Sequence, residues 1–557
     1  MISAREQEQS TRAEFDFDWI VVGSGFGGSV SALRLAEKGY DVAVLECGKR
    51  FADEDFPKST WDSKRYFWAP RMGMKGIFRL SLFRDVAVVS GCGVGGGSLG
   101  YANTLYVPPS PFFEDPQWAD LEDWEQALAP HYETAQRMLG VVVHDKDDPA
   151  DQLLRELGEE LGVADTYRKT PIGVYLDNPG QTVADPFFEG EGPERTGCMQ
   201  CGRCMVGCPH GAKNTLVKNY LWLAEHRGVE VQAERTVTDI RPLGAADGSD
   251  GYAVTSERSG LLRGRKRRTL TARGVIVAAG PLGTNKLLQR CRLGGSLPRI
   301  SSRLGELVRT NSESILAVRV PKDYPEDLTR RVAITSSIYP DPNTHIETVT
   351  YGKAGDSMST LNTLLVGDGT RVTRPLKLLG QIVRHPLKFL EVLWPFGTSH
   401  RTIILLVMQT LDNAIALRPK LKRNGEVRLQ TEQDAEKPNP TFIPVANKAA
   451  EWMAERTGGI AQSSIMEATL NVPTTAHILG GAVIGHDPED GVVDSRQRVF
   501  GYENLMVCDG AAIPANVGVN PSLTITALAE HAMAQVPPKE GGQPRDLPEA
   551  ARPALIS

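Results

Sequence analysis

The chain has 557 residues, 41% of them hydrophobic and 23% charged, and a formal net charge of −6. This is the composition of a globular enzyme with about two to four domain-sized cores, and it carries no basic footprint for nucleic acid. No run of about 18 uncharged apolar residues occurs, so no spanning helix is expected, and the polar first twenty residues lack a secretory leader pattern.

Phe17-Asp18-Trp19-Ile20-Val21-Val22 predicts a buried strand, followed by Gly23-Ser24-Gly25-Phe26-Gly27-Gly28 and a helical pattern through 31–36. A second strand at 41–45 closes on Glu46. In a dinucleotide-binding turn, Gly23 permits the tight bend, Gly25 lets backbone approach a pyrophosphate, and Gly28 lets helix pack on strand. Glu46 is placed to accept hydrogen bonds from a ribose diol, which favours FAD or NAD over NADP. A lone glycine triplet is also what an ordinary tight turn carries. The order of strand, glycines, helix, strand and acid is what points to a dinucleotide.

A second glycine cluster, 91–99 with Gly97 inside it, follows the strand-like 85–89 and suggests backbone close to a flat or phosphorylated ligand. Cys198, Cys201, Cys204 and Cys208, followed by Pro209, have the spacing of a ferredoxin-type iron–sulfur run. Three readings stand: one [4Fe-4S] cluster, a structural zinc, or free thiols with no metal. The other four cysteines are scattered, which is not a secreted disulfide framework and suits a reducing cytoplasm.

Residues 275–280 read as a strand reaching a turn, with a helix from about 284. Residues 332–338 and 402–408 suit a second sheet. Between them, Arg374, Lys377, Gln381, Arg384, Lys388 and Glu391 recur at three- and four-residue spacing, which predicts a helix broken near Pro386 with a basic face. It is either a packed surface helix or a membrane-contacting lid. His477 precedes Leu479-Gly480-Gly481, and Asn520 stands between Val519 and Pro521 before a helix. A histidine suits the acceptance of a hydroxyl proton. By themselves, however, a lone histidine and an Asn before Pro are also core, turn or cap residues. Residues 504–510 form a last strand ending in Asp509-Gly510.

These motifs, with Tyr101–Tyr106, His477–Gly481 and Asp509 through Ser522, resemble the glucose-methanol-choline (GMC) flavoprotein family, and within it the bacterial cholesterol oxidase branch, actinobacterial members in particular. The similarity runs from about residue 17 to 535. It implies FAD held by pieces of the whole chain, with Asp509 and Gly510 at the pyrophosphate and ribityl chain and Gly97 near the isoalloxazine. It also implies His477 and Asn520 as the active-site pair. Ile478 departs from the branch, which has Pro there. The branch also uses a carboxylate from the substrate domain, for which Asp412 is a candidate.

The expected fold is α/β: a Rossmann-like FAD domain from 1–140, 190–310 and 470–535, an inserted α+β substrate domain at 311–469 with its sheet over the flavin, and a disordered tail at 536–557. The expected activity is oxidation of a bulky apolar alcohol, a 3-hydroxysterol first, with isomerisation as a companion step and oxygen or an electron carrier as acceptor. The alternatives are a dehydrogenase of another lipophilic alcohol passing electrons through a cluster to a quinone or protein carrier, and an electron-transfer flavoprotein. The expected setting is cytoplasmic with peripheral membrane contact.

Overall fold

The computed structural model describes residues 15–260, 266–423 and 426–554. The leader reading therefore falls largely on residues 1–14, outside the described residues. No helix among the described residues is long and apolar enough to cross a membrane.

Two seven-stranded sheets organise the chain. In the first, Phe17–Val22 runs parallel to Val42–Leu45 on one side and Arg268–Val277 on the other, with Val22 opposite both Leu45 and Val277. Glu230–Gln232 extends one edge, Tyr252–Arg258 and Arg235–Pro242 the other, and Leu505–Val507 pairs in parallel with Arg268–Val277. Ile20, Val21, Val44 and Val275–Val277 are fully buried, because a parallel strand covered on both faces needs a continuous apolar run. Helix Phe26–Glu37 leaves the first glycine turn and packs against Ser522–Ala534. Arg34 and Glu530, both buried, fasten the two helices by a fork of bonds at 2.7 and 2.9 Å. Segments nearly 500 residues apart thus form one nucleotide-side layer.

The second sheet is antiparallel throughout, in the order Asn362–Leu364, Ile460–Ser464, Ser314–Arg319, Thr402–Gln409, Thr344–Val349, Ile334–Asp341, Arg168–Lys169. Its faces alternate with the strand period of two. Leu316, Val318, Ile403 and Leu405 pack under helices Pro149–Glu160 and Pro444–Thr457. Ile315, Ala317, Ile404 and Leu406 face the other way, into a cavity. The expected substrate layer at 311–469 needs two corrections. Residues 149–169 belong to it, since Ala150, Leu153, Leu154 and Leu157 complete its core. The hairpin of Ile415–Leu421 and Val427–Gln433 packs instead with Val86, Val88 and Val308.

The tail is a third correction. Described residues 536–554 run along the nucleotide layer: Lys539 pairs with Asp18 at 2.6 Å, Arg545 with Asp41 at 3.1 Å, and Leu547 and Ala551 are buried. Composition counted its Pro and charge and overlooked the two apolar anchors. Residues 555–557 lie outside the described residues.

Candidate active site

A cavity of 1210 Å³ runs from the Gly23–Gly27 turn to His477 and Asn520. That exceeds the roughly 300–1,000 Å³ of a site for one small ligand, so a dinucleotide and a substrate both have room.

At the nucleotide end the glycines have separate reasons. Gly23 has φ +105, and a Cβ there would stand 2.2 Å from the Ala278 carbonyl oxygen. A Cβ on Gly28 would stand 2.2 Å from the Gly23 oxygen, so Gly28 lets the helix close on its own strand end. A Cβ on Gly25 would meet no protein atom within 4 Å, so that glycine keeps space for something else. Gly27, which sequence reasoning passed over, would carry a Cβ 1.8 Å from the Cys508 oxygen, where the first turn crosses the last strand. Gly96 backs directly onto Gly25, and Gly97 lines the same cavity.

Glu46 is buried and lines the cavity. Its carboxylate accepts from Ser24 N at 3.1 Å, Ser24 Oγ at 2.8 Å and Gly48 N at 2.7 Å. Asp509 accepts from Gly280 N at 2.8 Å, Thr284 Oγ1 at 2.5 Å and Ala511 N at 2.7 Å. It clasps three segments, and burial still pushes its acid up to about 6 against those bonds. Gly510 lines the cavity beside it. An open glycine turn with an acid fixed at the second strand's end fits the phosphates and ribose of FAD.

At the far end, four segments meet. His477 Nδ1 donates to Glu313 Oε1, and Glu313 Oε2 accepts from Ala476 N at 2.9 Å, so a fully buried carboxylate holds the ring. With Nδ1 engaged, Nε2 is the nitrogen left for a ligand. Asn520 Nδ2 donates to Glu347 Oε2 at 3.4 Å. Burial pushes Glu347 up to about 8; the Asn520 amide opposes this and the charge of Glu313 adds to it. Beside them, burial and the neighbouring His477 lower His345 to about 3, which keeps it neutral. Asn520 Oδ1, Glu347 Oε1 and both His345 nitrogens are buried without a partner. Each such atom costs about 1–3 kcal/mol, so a cluster of them at Asn520, which lines the cavity, and at its buried neighbours marks a place suited to a polar ligand group.

His477 and Asn520 are therefore brought together, and Asp412 is not with them. It is 38% exposed, bonded to Arg309 at 2.8 Å and to Lys437, and the carboxylates that stand beside the pair are instead Glu347, at Asn520, and Glu313, at His477. Neither glutamate was singled out from sequence. The signal in the sequence is Thr344–Val349, where His345 and Glu347 lie on one face of a strand buried along its whole length. Ile478 packs with Val86 and Val88 beneath the histidine. The four cysteines line a separate small cavity.

The predicted basic helix also needs correction. It is indeed broken, into Thr373–Arg384 and Pro386–Leu393. Arg374 is buried, donating to the Thr441 oxygen at 2.8 Å, and Arg371 pairs with Asp85. The outward face is mainly apolar: Leu376, Leu379, Val383, Leu387, Leu390 and Trp394. Only Leu378 and Val392 of the two helices' apolar residues turn fully inward, because the pair lies along the sheet's edge instead of over it.

Residues 193–306 and 420–529 match sequence models of the GMC oxidoreductase family, and 21–52 match an NAD(P)-binding Rossmann-like domain. The chain is 50% identical over 545 residues to a cholesterol oxidase of Mycobacterium tuberculosis, covering 96% of this chain and 93% of that protein. It is 47% identical over 536 residues to a cholesterol oxidase of Acinetobacter baumannii, covering 94% and 95%. Among solved structures, pyridoxine 4-oxidase from Mesorbium loti superposes with a TM-score of 0.58 at 15% identity, over 93% of this chain and 98% of that one.

Proposed function

Because the chain belongs to the GMC oxidoreductase family, and is by that membership an FAD-dependent oxidoreductase of CH–OH donors, we propose that its substrate is a 3-hydroxysterol. One observation carries the reading. Beyond the cluster of His477, Asn520 and Glu347, the cavity continues under an apolar wall made by Ile315, Ala317, Ile334, Val349, Ile404 and Leu406. A polar cluster beside a largely apolar wall fits a rigid apolar molecule with one hydroxyl. Relatives covering nearly the whole chain are cholesterol oxidases.

FAD, when bound, supplies the acceptor for the hydride. His477 takes the hydroxyl proton at Nε2, and Glu313 stabilises the imidazolium that results. Asn520 positions the oxygen with its unpartnered Oδ1 and its amide hydrogens. Glu347, held near 8, can take and return a proton close to neutral pH, which is what a companion double-bond isomerisation requires. The second sheet keeps water from the reacting carbon. Oxygen is the proposed terminal acceptor.

The test is anaerobic reduction of the FAD-loaded protein by a panel of 3-hydroxysterols and other lipophilic alcohols, followed by reoxidation with oxygen or a dye. Rapid reduction by sterol and peroxide formation in air are expected. Reduction only by other alcohols refutes the sterol reading, and reoxidation by dye but not by oxygen makes the protein a dehydrogenase.

A further inference from the structure

Outside the catalytic cavity, four thiols and two unbalanced cations share one corner of the molecule. Cys198, Cys201, Cys204 and Cys208 are free and line a single small cavity together with Lys213 and Arg331. Lys213 is 1% exposed, and its Nζ donates only to backbone oxygens: Leu99 at 3.1 Å, Tyr101 at 2.7 Å and Cys204 at 3.0 Å. Arg195, 2% exposed, likewise donates to the oxygens of Gly211 and Ala212, each at 2.9 Å. Among the described residues neither forms an ion pair, whereas Arg331 is paired with Asp148 and Asp151. Removing an unpaired cation from water costs several kcal/mol, and carbonyl dipoles alone do not cancel its charge. An anionic group in the cavity would balance the two cations, and no carboxylate lines it.

We propose that Cys198, Cys201, Cys204 and Cys208 bind a [4Fe-4S] cluster whose negative charge Lys213 and Arg195 balance. Two ferrous and two ferric ions, four sulfides and four thiolates sum to a net charge of about −2, opposite in sign to the two buried cations and to Arg203, which also lines the cavity. A tetrathiolate zinc has the same charge, so geometry decides between them. Zinc at about 2.3 Å from each ligand holds its sulfurs about 3.8 Å apart. Here no three of the four sulfurs lie within 4.8 Å of one another, although such a group exists elsewhere, at Glu46, Cys47 and Cys92. A cubane spreads its thiolates wider, and the loop supplies the turns this needs, with Gln200, Gly202 and Gly207 at φ +53, +69 and +95. Lys213 also ties the loop to Leu99 and Tyr101, beside the Gly97 turn, and Met205, next to Cys204, lines the catalytic cavity. The cluster site therefore adjoins the catalytic chamber.

The test uses the full chain, purified without oxygen, with iron, acid-labile sulfide, zinc and FAD measured on one sample. About four irons and four sulfides per chain are expected, with a paramagnetic signal after dithionite reduction. Cys204→Ser should lose most of the iron while keeping FAD. Lys213→Met should retain iron and lower the cluster's midpoint potential, because the reduced cluster carries one more negative charge. Any protein isolated without metal is treated anaerobically with ferrous iron and sulfide. Failure to take up both, or one zinc per chain in place of iron, overturns the proposal. These readouts do not depend on which alcohol the enzyme oxidises.

Discussion

The two ends of the catalytic cavity are built by opposite means. At the nucleotide end, the ligand space is made by omission: glycines without side chains, and acids whose oxygens are already satisfied by Ser24, Gly48, Gly280, Thr284 and Ala511. At the substrate end it is bordered by side chains with atoms left unsatisfied, at Asn520 and at its buried neighbours Glu347 and His345. A backbone cradle can be complete before its ligand arrives. A polar cluster with orphaned atoms carries its cost until a ligand or water meets them. The difference implies that damage at the first end removes the cofactor, whereas damage at the second leaves the cofactor and removes chemistry.

The largest expected effect tests the first half of that contrast. Gly25 has φ −73 and ψ −166, an extended conformation that valine adopts readily, and its Cβ would touch no protein atom. Gly25→Val should therefore fold yet fail to hold FAD, read as the ratio of flavin to protein absorbance after purification. A folded variant with full flavin would break the assignment. Next in size, His477→Ala should keep FAD and slow anaerobic reduction by substrate by about 10²-fold or more, and Asn520→Ala should lie in the same direction. Unchanged reduction rates in both would place the chemistry elsewhere.

The same contrast explains what could be read from sequence. Gly23, Gly25, Gly28 and Glu46 sit within one strand–turn–helix–strand unit, where spacing alone fixes geometry: Gly23 and Gly28 make the close backbone approaches expected of them, and Gly25 and Glu46 border the same cavity. His477 and Asn520 were legible only through family motifs, because their partners come from strands over 100 residues away. Glu313 and Glu347 carry no local signature. Each is an ionisable residue in an otherwise buried segment, and only the assembled fold shows that it meets His477 or Asn520. Asp412 was misjudged for the same reason: nearness in sequence to a strand end says nothing of whether Arg309 and Lys437 already hold it at the surface.

A smaller effect sharpens the substrate end. Glu347 ordinarily ionises near 4.5, and burial raises it to about 8 in the folded chain. Between those values the folded state binds more protons than the unfolded one, so its contribution to stability is complete below 4.5 and is lost as pH rises through 8. Glu347→Gln, which cannot ionise, should lack this slope. The Tm of the variant relative to the native protein should therefore rise from about pH 5 to about pH 8. A constant difference across that window would mean that Glu347 does not change charge there.

The smallest effect concerns neither end but the edge of the second sheet, along the broken helix at 372–396. A sterol is almost insoluble in water, so an enzyme that takes one up gains from meeting it at a bilayer. Leu387 is 80% exposed, Val383 74% and Trp394 62%, and Phe396 stacks on Trp61 beside them. With Arg374 buried and Arg371 paired, the outward cations of this segment reduce to Lys377, Arg384 and Lys388, with His385 among them. Each near-surface Lys or Arg contributes about 1 kcal/mol at an anionic membrane, and less as salt rises. Each large apolar side chain buried there contributes about 1.5–3 kcal/mol. The apolar face therefore dominates, and binding to vesicles containing anionic lipid should weaken only in part with salt. Arg384→Glu with Lys388→Glu should reduce binding modestly, Leu387→Glu with Leu390→Glu more strongly, and both pairs should spare turnover of a detergent-dispersed sterol. Sedimentation with vesicles measures each. If the native protein stays in the supernatant even at low salt, this edge does not meet membranes, and the substrate must be delivered by another route.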